Sequence, residues 1–86
     1  VHEVVPDDAL EEATMSLAQE LAQGPQMAMR MLKRSIYNAA ELSWEQSLDE
    51  IAAKTAVTDH HPDAREGVAA FRERREPRFN RDLDDA

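Results

Sequence analysis

The residues best suited to chemistry lie near the end of the chain. The run Phe71-Arg-Glu-Arg-Arg-Glu-Pro-Arg-Phe79 sets Phe71 and Arg74 three apart, a spacing that shares one face of a helix. An aromatic ring beside a guanidinium offers a stacking surface for a purine and a charged donor for a phosphate. Spacing alone favours the plainer reading, a charged helix end. The histidines are less promising. His60 and His61 are adjacent and His2 is remote, whereas zinc-type sites need further His, Cys or carboxylate ligands at matched spacing. All three read as exposed loop residues, and no metal site is expected. With no Cys there is neither a disulfide nor a thiolate ligand. Each carboxylate falls in a helix cap, a first turn or a polar face, where solvation rather than acid–base work is its expected role. No Ser-His-acid set, Gly-rich phosphate loop or Walker pattern occurs. No complete active site is therefore expected within the chain.

Charge is unevenly placed. The net charge is −8, yet residues 1–24 hold Glu3, Asp7, Asp8, Glu11, Glu12 and Glu20 without a single Lys or Arg. Arg65, Arg72, Arg74, Arg75, Arg78 and Arg81 crowd the other end. A net-negative chain with a local Arg cluster is a poor general nucleic-acid binder and a reasonable binder of one small anion. No apolar run approaches the roughly 20 residues of a membrane span, and no signal-peptide pattern opens the chain. A cytoplasmic, non-membrane location is the default expectation.

The elements that must position these groups are helical. Val1-His-Glu-Val-Val5 reads as a short strand whose pairing partner lies outside the chain. Asp7 or Asp8 suits the cap of a first helix, with Leu10, Thr14, Leu17, Ala18 and Leu21 on one stripe. Gly24 is placed to end it in a left-handed turn, and Pro25 to occupy the first position of a second helix reaching Leu42. That helix is apolar around most of its circumference, including Met27-Ala-Met-Arg-Met31, and calls for two packing partners. Ser43 with Gln46 forms a capping-box pattern opening a third helix, which ends near Thr58. Pro62 opens a fourth on Ala64, Val68 and Phe71, with Gly67 as a close-packing site and Pro77 forcing a stop near Arg75. The expectation is an all-α fold of about four amphipathic helices: a strand remnant at 1–5, a helical segment at 6–79 and an acidic flexible tail at 80–86.

The ordered set Val1-His-Glu-Val-Val-Pro-Asp-Asp-Ala-Leu10, Leu21-Ala-Gln-Gly-Pro25, Met31-Leu-Lys-Arg34, Glu41-Leu-Ser43 and Asp63-Ala-Arg-Glu-Gly-Val-Ala-Ala-Phe71 with Arg74-Arg75, Pro77 and Phe79 resembles the carboxy-terminal part of the enoyl-CoA hydratase/isomerase (crotonase) family. The resemblance implies a larger enzyme whose preceding core of repeated ββα turns supplies the acyl-CoA pocket, the oxyanion-hole amides and the acid–base carboxylates. It implies two roles for helices such as these: subunit contacts in trimers or hexamers, and closure over the CoA end of the site. Phe71 matches the aromatic implicated at the adenine, and Arg74 falls where a Lys commonly binds CoA phosphate. The resemblance implies no cofactor beyond coenzyme A as part of the substrate. Residue 72, commonly apolar in the family, is Arg here. The rival reading is a stand-alone helical interaction module without catalytic activity.

Overall fold

In the computed structural model, which describes residues 1–84, five helices follow a short 3-10 turn. The turn, Asp7–Ala9, leads into α1 (Leu10–Ala22). Then come α2 (Gln26–Ala39), α3 (Trp44–His60), α4 (Pro62–Glu73) and α5 (Arg81–Asp84). The strand expected at 1–5 is not formed, and no strand occurs among the described residues. A strand exists only through hydrogen bonds to a neighbour, and no segment among the described residues pairs with it. Neither Asp7 nor Asp8 caps α1 through its side chain. Pro6 and Ala9 hold the cap positions instead, and the two acids fill the first turn.

The α1–α2 joint departs from expectation for a reason of backbone chemistry. Gly24 does not adopt a positive φ, because a residue preceding proline is pushed toward extended backbone. Its lack of a side chain matters through space: a Cβ there would lie 2.7 Å from the Met29 sulfur and 3.2 Å from the Leu21 carbonyl oxygen. Pro25 is the cap rather than the first residue of α2 and has no side-chain acceptor to offer. Asn80 supplies one from across the chain. Its Oδ1 accepts the Gln26 amide at 2.9 Å and its Nδ2 donates to the Gly24 carbonyl at 2.9 Å. Asn80 sits at φ 65, a left-handed conformation that Asn tolerates better than most residues.

The capping box at α3 forms as its pattern predicts. The Gln46 amide donates to Ser43 Oγ and the Ser43 amide to Gln46 Oε1, both at 3.1 Å. α2 packs along α3, α3 against α4, and α4 against α5. The α2–α3 seam carries a polar knot. Ser35 Oγ and Asn38 Nδ2 each donate to Glu50 Oε1 at 3.2 Å, and Lys54 bridges Glu50 and Ser35. α4 ends in a Schellman turn with Arg74, not Gly, at the left-handed position (φ 54). The Arg75 amide reaches the Ala70 carbonyl at 3.0 Å to close it.

The helices leave their core unfinished. Among the described residues only Ala70 (2% exposed) and Asp63 (7%) are buried. The accessible surface is 7527 Å², against about 5,100 Å² for a compact monomer of this mass. The radius of gyration is 16.3 Å, against about 12 Å for a compact domain of this length. Between α2, α3 and α4 lies an open hollow of about 360 Å³ lined by Pro25, Ala28, Thr58, Gly67, Val68 and Phe79. Leu32, Ile36 and Tyr37 of α2 and Trp44 of α3 remain exposed.

Candidate functional site

The carboxy-terminal end of α4 is held by one carboxylate. Both oxygens of Glu66 take the Arg75 guanidinium, at 2.7 and 3.0 Å, and Oε2 also accepts the Arg78 amide at 2.7 Å. Hydrogen bonding from Arg75, then from the Arg78 backbone, lowers the Glu66 carboxyl to a pKa of about 2. Glu73 holds the Nε edge of the same guanidinium. Arg75 is thereby committed to the turn, while Arg74 makes no ion pair or side-chain hydrogen bond among the described residues.

Phe71 is 85% exposed and Arg74 is exposed beside it in the chain. Their shared helical face is altered by the left-handed turn. Arg74 lies one residue past the last helical position, so its side chain leaves from the turn rather than from the regular i+3 site. The two do not stack on each other. The cation over a ring among the described residues is Lys33 over Tyr37, 5.9 Å from the centroid. Phe71 thus presents a bare ring at a helix end, with an uncommitted guanidinium three residues on. Arg72 is exposed as well, so its charge disturbs no packing within this chain.

Below the turn, Phe79 folds back onto α4. Its ring would lie 3.7 Å from a Cβ at Gly67, an ordinary contact, so the close-packing role expected of this glycine is not required among the described residues. Beyond it, the Asn80 amide donates to the buried Asp63 Oδ1 at 2.8 Å. The expected tail therefore starts with an anchored residue and a helical turn, Arg81–Asp84, while residues 85–86 lie outside the described residues.

The histidine reading needs correction. His60 is exposed as expected, with Nδ1 2.7 Å from the Ala56 carbonyl. His61 is not a free loop residue. It caps α4, its Nδ1 accepting the Asp63 amide at 3.2 Å, and its Nε2 lies 3.2 Å from Asp82 Oδ2. Asp63 Oδ2 is buried without a hydrogen-bond partner and lies 3.5 Å from His61 Nδ1. Sequence reasoning missed this group because Asp82 joins it from far along the chain. The His-Pro-Asp order was the available signal, since a His before Pro at a helix start can serve as the cap.

Comparisons with known proteins identify the family and the fold. The family model described as enoyl-CoA hydratase/isomerase matches residues 1–82. The chain is 30% identical over 79 residues to the 1,2-epoxyphenylacetyl-CoA isomerase of Escherichia coli, covering 92% of this chain and 30% of that protein. Among solved structures, an enoyl-CoA hydratase subunit I of Geobacillus kaustophilus superposes with a TM-score of 0.83 at 34% identity, covering 93% of this chain and 31% of that one. An enoyl-CoA hydratase of Bacillus anthracis gives 0.83 at 30% identity, covering 88% and 30%. The chain thus spans about a third of the length of these relatives.

Proposed function

Because the chain belongs to the enoyl-CoA hydratase/isomerase family, and its fold is a helical fragment of the crotonase fold, we propose that it serves an enzyme acting on acyl-CoA thioesters. In that enzyme it forms the helical carboxy-terminal segment, building subunit contacts and one wall of the CoA nucleotide site. The observation that carries the nucleotide assignment is the end of α4. An exposed aromatic ring, Phe71, is followed three residues on by a guanidinium, Arg74, that no carboxylate among the described residues occupies. Phe71 offers the stacking face for the adenine, and Arg74 the charge-assisted donor for a phosphate. Arg74 departs from the Lys common in the family and adds a planar fork to the same charge. The unfinished core and exposed α2 face support the subunit-contact role, since such surface needs a partner.

Three carboxylates of this segment make structural contacts: Glu66 with Arg75, Asp63 Oδ1 with Asn80, and Glu50 with Lys54. On this reading the thioester enolate is stabilised by backbone amides of the larger enzyme, and the acid–base groups belong there too. The isolated 86-residue chain is expected to show no turnover of crotonyl-CoA. Turnover that follows the purified chain through successive columns would overturn the assignment of chemistry to the rest of the enzyme.

A further inference from the structure

We propose that His61, Asp82 and Asp63 form a site for a divalent transition ion of the zinc, cobalt and nickel class, at the junction of α4 and α5. Ligand atoms from all three residues lie within 4.8 Å of one another. His61 Nε2 and Asp82 Oδ2 are the direct ligands. Their 3.2 Å separation is close to the roughly 3.3–3.6 Å between two ligands on one tetrahedral ion with bonds of about 2.0–2.2 Å. Water completes the shell on the side where Asp82 meets solvent.

The observation that points to a ligand is the orphaned oxygen of Asp63. Asp63 is 7% exposed, its Oδ1 is used by the Asn80 amide, and its Oδ2 is buried with no hydrogen-bond partner. Without an ion, Nδ1 accepts the Asp63 amide, so the neutral ring carries its proton on Nε2, directed at Asp82. An ion at Nε2 takes the place of that proton, which passes to Nδ1. There the acceptor already in position is Asp63 Oδ2, 3.5 Å away. The ring stays neutral and no proton is lost from it. The Asp63 amide then gives up Nδ1 as its acceptor, and Nδ1–H gains a charge-assisted bond to Asp63 Oδ2. Asp63 then acts as a positioning residue, orienting the ring as carboxylates commonly orient metal-bound histidines. One imidazole and one carboxylate select borderline transition ions over magnesium or calcium, which prefer oxygen-only shells. The site clamps α5, a single helical turn, onto the start of α4.

Cobalt(II) titrated into the 86-residue chain tests this, followed by visible absorption and by paramagnetic broadening of the histidine ring signals. One saturable site is expected, displaced by zinc and untouched by excess magnesium. His61→Gln and Asp82→Asn should each abolish it. Asp63→Asn, which retains the Oδ1 bond to Asn80, should weaken it about 10- to 100-fold. Asp82 is exposed at the chain end, so its variant tests the site even if His61→Gln loosens α4. His60→Gln should leave binding unchanged. Absence of saturable binding would overturn the proposal. So would equal losses on His60→Gln and His61→Gln, which would mean that the adjacent histidines capture the ion as a loose pair.

Discussion

Arg74 and Arg75 are adjacent, yet their side chains are differently placed: of the two, only Arg75 is ion-paired among the described residues. Arg75 satisfies Glu66 and Glu73, and Arg74 occupies a backbone position that suits glycine. A non-glycine residue in the left-handed region costs about 1–2 kcal/mol, and the side chain has no ion pair or hydrogen bond among the described residues to offset it. Arg74→Gly is therefore expected to leave the helix end intact or slightly more stable, by about 1 kcal/mol, in urea denaturation. A loss of stability would instead mean that the guanidinium serves the fold. Glu66 makes the opposite commitment. Its carboxyl falls from an ordinary 4.5 to about 2 in the folded chain, so its stabilising contribution is complete above the unfolded value and fades as pH drops from about 4.5 toward 2. Protection of the Arg78 amide, measured against its intrinsic exchange rate at each pH, should fall across that window, and Glu66→Gln should remove this pH dependence. An unchanged profile in the variant would assign the acid sensitivity to other groups. The three-residue spacing of Phe71 and Arg74 was legible in the sequence, and by itself it favours a charged helix end. The left-handed turn between them was not legible, because Arg at that position carries no glycine signal.

At the scale of elements, local patterns succeeded where the partners were local. Ser43 and Gln46 are three residues apart and cap each other as read. The start of α2 was misplaced by one residue because its cap comes from Asn80, a contact no local pattern contains. The same holds for His61, whose partners are Asp63 and the distant Asp82, and for the N-terminal strand, whose partner this chain does not supply. Asn80→Ala should then destabilise more than an ordinary surface substitution. It removes the α2 cap and the bond to Gly24 and strains the left-handed backbone, a loss of about 1–3 kcal/mol. A change below about 0.5 kcal/mol in thermal unfolding would contradict the pinning role. Gly67 predicts the reverse. A Cβ there meets only the Phe79 ring at 3.7 Å and 3.9 Å, so Gly67→Ala should stabilise α4 by about 0.5–1 kcal/mol. A loss on this substitution would show that α4 and Phe79 sit closer together than described.

The whole molecule is defined by what it leaves uncovered. Its surface is nearly half as large again as a compact chain of this mass would show, and the apolar side of α2 faces outward. Composition had indicated this: few aromatics, many Ala and Met, and a second helix apolar around most of its girth. How the helices are arranged was not legible, because the contacts that orient them join residues far apart in the chain, as Asn80 does with Gly24 and Gln26. The chain alone should self-associate at micromolar concentration, giving a dimer or larger species in sedimentation. A stable monomer would mean that the helices close on one another.

The central claim, that this segment completes the CoA nucleotide site of a crotonase-type enzyme, is tested most directly by kcat/KM for the complete enzyme and its Arg74→Gly variant on two substrates. One is an acyl-CoA. The other carries the same acyl group on a short pantetheine-like thioester without the nucleotide. A phosphate contact worth about 1.5–3 kcal/mol predicts a roughly 10- to 150-fold loss on the acyl-CoA. Part of that loss can fall in kcat, since remote binding energy also positions the thioester. The truncated substrate should register almost no change, because the contact is already missing. Equal losses on both substrates would contradict the account and would place Arg74 in folding or assembly rather than at the nucleotide.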